Sequence, residues 1–304
     1  MKKTLGFSSL LLAAIAFGSF GVWIRLLAKE MSIYQQIVLR NFFAFLFAFL
    51  VVLFSKQLFQ IDWPKVKKTN LLFYTFLIPL SVIAYNVSML NAKIAVATFA
   101  FYIGTILTGW VAGTFFYKEK LNTEKWMSLG LVLGGLAFFA YPFSSSSINL
   151  GLMAGIVSGV LDGAANGFRK DLAGKVNKLV LVLLTAIGGM LVSGVMMGYF
   201  QQNFGVFSSM SINAWVIGAI FGSLLVIINY LLLVGFQNFD LGLGSIVLSL
   251  ELLFATIFGL IFLKEVPTLR EITGGLLILT ANVIPNLNLV LQKRLRINTN
   301  NVSN

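Results

Sequence analysis

Apolar runs of about twenty residues, separated by short polar links, follow one another along nearly the whole chain. A helix needs roughly 20 such residues to cross about 30 Å of hydrocarbon. The pattern predicts helices near 5–27, 32–54, 71–90, 96–117 and 124–141, and again near 151–168, 179–200, 212–234, 242–263 and 269–290. The links are short except Ser55–Asn70 and Gln201–Ile212, and none is long enough for a soluble domain. Lys2 and Lys3 precede the first run as they would in a signal peptide. Leu5–Leu27 is too long for a signal-peptide core, however, and no small-residue cleavage site follows, so it reads as a retained helix.

Composition excludes a water-soluble globule. Of 304 residues 58% are apolar and 11% charged, with mean hydropathy +0.92, against about 25% charged in a soluble domain. Lipid must cover such a surface. The net charge of +12 does not point to nucleic acid, because the basic residues sit in short clusters between the apolar runs, where topology signals sit. With a cytoplasmic amino terminus, 16 of the 22 Lys and Arg fall inside: Lys2, Lys3, Lys56, Lys65, Lys67, Lys68, Lys118, Lys120, Lys125, Arg169, Lys170, Lys175, Lys178, Lys293, Arg294 and Arg296. Only Arg25, Lys29, Lys93, Lys264 and Arg270 fall outside, and Arg40 lies within the second run. One missed span would scramble that segregation. Both termini are therefore expected in the cytoplasm of a cell with this protein in its plasma or inner membrane.

There is no Cys and no His, which rules out disulfides, Cys/His zinc sites, haem–His ligation and a Ser-His-Asp triad. No phosphate-binding loop ending in Gly-Lys-Ser/Thr is present, so ATP-driven work by this chain alone is not expected. The 10 acidic residues lie mostly in links. They supply no cluster for catalysis, and neither an enzyme nor a cofactor is expected.

Scarce charged and aromatic residues repeat at about half the length. Arg25 and Arg169 are 144 apart, Tyr85 and Tyr230 are 145 apart, and Lys118-Glu119 and Lys264-Glu265 are 146 apart. Five helices per half is an odd number, so the second half would enter the bilayer upside down. Inverted halves around a midplane cavity recur in secondary transporters. The expected fold is thus an all-α integral membrane protein of ten transmembrane helices, as two inverted five-helix repeats around a central cavity. The repeats are 1–142 and 143–291, with a basic polar cytoplasmic tail at 292–304 that reads as disordered.

Several motifs carry a family resemblance. These are the short link Asn91–Ala97, the run Phe115-Phe116-Tyr117-Lys118-Glu119-Lys120-Leu121, and the glycines Gly130, Gly134 and Gly135 after it. The second half answers with Ser249-Leu250-Glu251, Phe262-Leu263-Lys264-Glu265 and Gly274-Gly275, and Arg40 stands near the start of the second helix. From about Leu5 to Leu289 the chain resembles the EamA-type branch of the drug/metabolite transporter superfamily. The resemblance implies two five-helix repeats, a small-molecule solute as partner and an acidic residue in the ninth helix. Where that family often carries Pro in helices 4 and 9, this chain reads Gly104-Thr105 and Leu252.

An ionisable group at mid-span costs about 2.5–3.5 kcal/mol on insertion scales and calls for a reason. Arg40, Asp162 and Glu251 qualify. Arg40 can anchor structure or meet the solute. Ser158, Asp162, Asn166 and Arg169 fall at steps of four, four and three on one stripe, which must face protein or a water-filled cavity. That stripe serves either helix packing or solute contact. Glu251, deepest in its span, suits a group that carries a coupling proton, or else a structural hydrogen bond. Tyr85, Asn86, Tyr102, Asn229 and Tyr230 are candidate cavity-lining groups, and packed rings with satisfied hydroxyls are the plainer alternative.

Gly151, Gly155, Gly159, Gly163 and Gly167 recur every four residues, the small-xxx-small surface of close helix contact. Gly130/Gly134, Gly194/Gly198 and Gly218/Gly222 repeat it, while Gly104, Gly242 and Gly244 are candidate points of flexibility. The leading expectation is a secondary exporter of small metabolites such as amino acids, working by alternating access, with protons as a candidate coupling ion. An uptake carrier for metabolites or nucleotide derivatives on the same fold stands as the alternative, as does a non-transporting assembly or sensor subunit.

Overall fold

The computed structural model describes residues 2–54, 66–91, 94–140 and 148–284. Lys56, Lys65, Lys93, Lys293, Arg294, Arg296, the end of the tenth expected helix and the polar tail lie outside the described residues. The helices are α1 (Lys2–Gly18), α2 (Phe20–Leu27), α3 (Ile33–Phe54), α4 (Lys68–Asn91), α5 (Ile94–Phe115) and α6 (Thr123–Ala140). They continue with α7 (Ile148–Leu172), α8 (Lys178–Tyr199), the one-turn α9 (Val206–Ser209), α10 (Ile212–Asn238), α11 (Leu241–Leu248) and α12 (Glu251–Leu263), and α13 covers 269–284. No strand occurs among the described residues.

Among the described residues eight helical segments are long and apolar enough to cross a membrane, with α1–α2 and α11–α12 each counting as one. The other two expected spans are helical as well. Glu124 in the first turn dilutes the 18-residue α6, and α13 is described only to residue 284. Large apolar side chains such as Phe54, Phe115 and Val195 stand on the exterior, as a lipid-facing surface requires.

Two spans are broken, each at a serine. Ser19 Oγ donates to Ala16 O at 2.7 Å between α1 and α2, and Ser249 Oγ donates to Ile246 O at 2.6 Å between α11 and α12. A hydroxyl bonded to the preceding turn competes with the helical ladder. Around Ser249 the backbone shifts to three-residue spacing, from Leu250 N to Val247 O (3.1 Å) and from Leu252 N to Ser249 O (3.2 Å). The ninth span therefore breaks just before Glu251 rather than at Leu252, Gly242 or Gly244, and α5 runs unbroken through Gly104.

Gly104 serves close approach instead. A Cβ there would stand 2.5 Å from Ile156 O and 2.9 Å from Gly159 Cα. On the facing helix, a Cβ on Gly155 would meet Ala100 Cβ at 2.6 Å, one on Gly159 would meet Thr105 N at 2.7 Å, and one on Gly163 would meet Thr108 Cβ at 2.7 Å. α7 thus lies backbone to backbone on α5. Its opposite flank is pinned to α4 by a reciprocal pair, Ser81 Oγ to Ser158 O (2.9 Å) and Ser158 Oγ to Ser81 O (2.8 Å). Gly218 and Gly222 pack on Leu39 and Phe43 of α3. Gly130, Gly134, Gly167, Gly194 and Gly198, however, meet nothing within 4 Å. Among the described residues their four-residue spacing faces no neighbouring helix.

The helix contacts mirror one another between the halves: α4 lies on α7 as α10 lies on α1, and α8 lies on α4 as α3 lies on α10. A buried apolar cluster including Leu10, Tyr102, Ile106, Leu136, Phe236 and Ile278 fills the space between α1, α5, α6, α10 and α13. Polar groups gather at the two ends. At one end Lys125 pairs with Asp240 (2.9 Å) and Lys170 with Glu119 (2.8 Å). Burial pushes the Asp240 carboxyl up, but the hydrogen bond and charge of Lys125, aided by Lys3 and Lys170, hold it below its ordinary value. At the other end Arg25 pairs with Glu265, Glu30 accepts from Ser211 N (2.8 Å), and Gln35 reaches Asn203 O (2.9 Å).

Candidate functional site

Glu251 opens α12 immediately after the serine break. Tyr102 of α5, 2% exposed, donates its hydroxyl to Glu251 and also lies 3.2 Å from Leu248 O. Beside it Tyr85 Oη and Thr98 Oγ1 share a hydrogen bond of 2.9 Å, and the Phe101 ring packs between Tyr85 and Tyr102 with both centroids at 5.1 Å. Asp162 of α7 lies within electrostatic reach of Glu251 and Tyr102. It accepts from Asn166 Nδ2 at 3.1 Å and faces Arg169 Nη1 at 3.5 Å, while Arg169 also donates to Asn166 Oδ1. Glu251, Tyr102, Tyr85 and Asp162 form one neighbourhood, with Asn166 behind Asp162.

A second polar group lies between α3, α4, α8 and α10. Here Arg40, Asn41, Thr185 and Asn229 line a small cleft of about 50 Å³. Arg40 is 8% exposed, with the Phe221 and Phe20 rings 5.1 and 5.8 Å from its guanidinium carbon. Its Nε has no hydrogen-bond partner. Asn41 and Asn229 each donate one amide N–H to the carbonyl four residues back, Ile37 O at 2.8 Å and Leu225 O at 2.9 Å.

Two candidates belong to neither group. Asn86 is buried on α4 with an unpartnered Nδ2. Tyr230 is 42% exposed and does not line the cleft, whereas its repeat counterpart Tyr85 is hydrogen-bonded inside. Thr185 and Asn41 were missed in the sequence. Asn41 is a polar residue beside Arg40 in an apolar run, a signal that was available, but Thr185 carries none. Glu119 was also missed. It accepts from Leu241 N at 2.6 Å, capping the start of α11.

The sequence model of the EamA-like transporter family matches residues 4–141 and again 149–286. The chain belongs to the EamA-like transporter family. As an EamA-like protein it is a multi-pass membrane protein of two repeats. Both polar groups lie between those repeats: Tyr102 and Arg40 come from the first, Glu251 and Asn229 from the second. No curated protein matches the EamA-like chain. Among 29 matching chains of known structure, one described simply as a crystal structure of a protein superposes with TM-score 0.77. It is 13% identical and the match covers 97% of this chain and 98% of that one, a likeness of fold alone.

Proposed function

We propose that this protein is a secondary transporter that exports small metabolites across the plasma or inner membrane by alternating access, driven by protons, and that it is not an enzyme. The carrying observation is the pairing of an in-span carboxyl, Glu251, with Tyr102 across the junction of the two repeats. A proton taken or released there changes a contact that holds the halves together, which is what coupling requires. Glu251 is the proton-carrying group, and Asp162 faces the same polar region.

The architecture proposed is ten spans, with repeats 1–142 and 143–291 inverted about the membrane plane, both termini cytoplasmic and 292–304 a cytoplasmic tail. Mirrored helix contacts support the inversion. The count is supported by the polar ends. Lys125 at the start of α6 and Lys170 at the end of α7 meet their partners at one end, so α6 must leave that end for α7 to return to it.

The test is transport in proteoliposomes with and without a pH gradient, screening labelled metabolites and normalising to folded protein. Glu251→Gln is expected to abolish gradient-driven accumulation and to keep exchange, and Asp162→Asn to weaken transport. Wild-type gradient-driven transport by the double variant would overturn the mechanism.

A further inference from the structure

Arg40 is the buried charge without an opposite. Among the described residues Arg40, Asp162 and Glu251 stand within the spans, and Arg169 lies in the last turn of α7. Asp162 faces Arg169, and Glu251 is held by Tyr102. Among the described residues no carboxylate lies within ion-pair distance of Arg40, and its Nε has no acceptor. Rings of Phe20 and Phe221 flank the guanidinium. Such contacts soften burial, but by far less than a desolvated charge loses. A guanidinium stays protonated, so it does not escape that loss by neutralising.

The same side chain stands on a cleft. Asn41 and Asn229 each retain a second amide N–H after the bond to their own helix. Apart from Thr185 and Gly189, the remaining wall, Ile37, Ile78, Pro79, Val82 and Leu225, is apolar. One fixed cation, two spare N–H donors and an apolar wall complement an amphipathic anion. The enclosed space, about 50 Å³, is well below the roughly 300–1,000 Å³ of whole-ligand pockets, so it takes the carboxylate group and leaves the solute's body in the open mouth of the cleft.

We infer that Arg40, with Asn41 and Asn229, is an anion subsite that seats the carboxylate of a small organic solute whose apolar body lies against α4 and α10. The inference deepens the transport reading and rests on it for its physiological meaning, while its binding test is independent. A planar guanidinium engages both oxygens of a carboxylate, and such charge-assisted bonds are the strong ones. A bound carboxylate would supply the opposite charge that the buried guanidinium lacks.

The experiment uses the full chain in maltoside detergent, which carries no anion. Melting and calorimetric titration are run with hexanoate, benzoate and phenylacetate, each beside its primary amide, and with inorganic phosphate and short-chain phosphatidylglycerol. At least one carboxylate is expected to raise the melting temperature of the wild type, its amide not. Arg40→Met, which keeps the packing between the rings, is expected to melt above the wild type when empty and to lose carboxylate binding by about tenfold or more. Arg40→Lys should retain part of it.

A lower melting temperature or failure to fold for Arg40→Met would make Arg40 a structural anchor and overturn the inference. So would the absence of any carboxylate effect, or stabilisation only by phosphate or by the lipid headgroup. The two readings fail separately. Arg40-dependent carboxylate binding without any transport in proteoliposomes refutes the transport reading alone. Transport of amides and carboxylates alike, unchanged in Arg40→Lys, refutes the subsite alone.

Discussion

Arg169 is 2% exposed, and its facing carboxylate is Asp162 on the same helix. Removing one member of a buried pair leaves the other without compensation, which costs more than losing both. Asp162→Asn keeps an acceptor for Asn166 but strands the guanidinium. Since the Asp162 side chain is 19% exposed, the expected loss is about 1–3 kcal/mol rather than the full penalty of an enclosed pair. The double variant Asp162→Asn/Arg169→Gln should recover part of that loss. Melting of the four proteins in detergent closes the cycle, and simple additivity would show that the two charges do not interact. This stripe was legible because one helix supplies all of it at steps of three and four. The cleft around Arg40 was not. Its Thr185 comes from a helix remote in sequence, and a threonine in an apolar run marks nothing until its neighbours are known. Tyr85 and Tyr230 show the same limit, since repeat spacing relates their positions but does not give them equal surroundings.

At the scale of elements, small residues every four positions predicted helix contact, and the contacts turned out to be selective. Gly159 and Gly163 of α7 face α5 backbone, whereas Gly194 and Gly198 of α8 face open space. Periodicity shows that a smooth face exists, but the partner that occupies it comes from the fold. Gly159→Ala is therefore expected to destabilise by about 1–3 kcal/mol through overpacking, and Gly159→Leu to prevent folding. Gly194→Ala should be neutral or stabilising by about 0.5–1 kcal/mol, because alanine restricts the unfolded chain and clashes with nothing. Equal melting shifts for Gly159→Ala and Gly194→Ala would refute the packing of α7 on α5.

A second element-scale feature is repeated at a spacing of 146. A left-handed lysine follows each of α5 and α12, Lys118 (φ 53°) three residues after the one and Lys264 (φ 57°) directly after the other. The next N–H then turns back to a glycine carbonyl, Glu119 N to Gly113 O (2.9 Å) and Glu265 N to Gly259 O (3.1 Å). The two glutamates do different work. Glu119 is enclosed by Lys170 and the start of α11, while Glu265 is half exposed against Arg25. Glu119→Ala should lower the melting temperature by several degrees, the order expected for losing a cap and a partly buried ion pair. Glu265→Ala should change it little, as exposed pairs contribute least.

For the whole molecule, the segregation of basic residues and the contacts at the two ends make the same demand. The proposed ten-span topology requires Lys2 and Lys120 to share one side of the membrane, and Ser208 and Lys264 the other. Lys120 belongs to the loop whose Glu119 meets Lys170 and the start of α11. Lys264 adjoins the Glu265 that meets Arg25. Each position is exposed, so a thiol there is accessible and disturbs no packing. The chain lacks cysteine, so every introduced thiol is the sole target. In sealed cells a membrane-impermeant maleimide should label Ser208→Cys and Lys264→Cys, and should label Lys2→Cys and Lys120→Cys only after permeabilisation. Labelling of Lys120→Cys from outside with Lys2→Cys protected would mean an odd number of crossings between them. The positive-inside assignment and the inverted arrangement would then fail together. Labelling of Lys2→Cys and Lys120→Cys from outside, with the other two protected, would keep the spans and reverse the orientation. The helix pairing would survive that outcome, and the positive-inside assignment alone would fail.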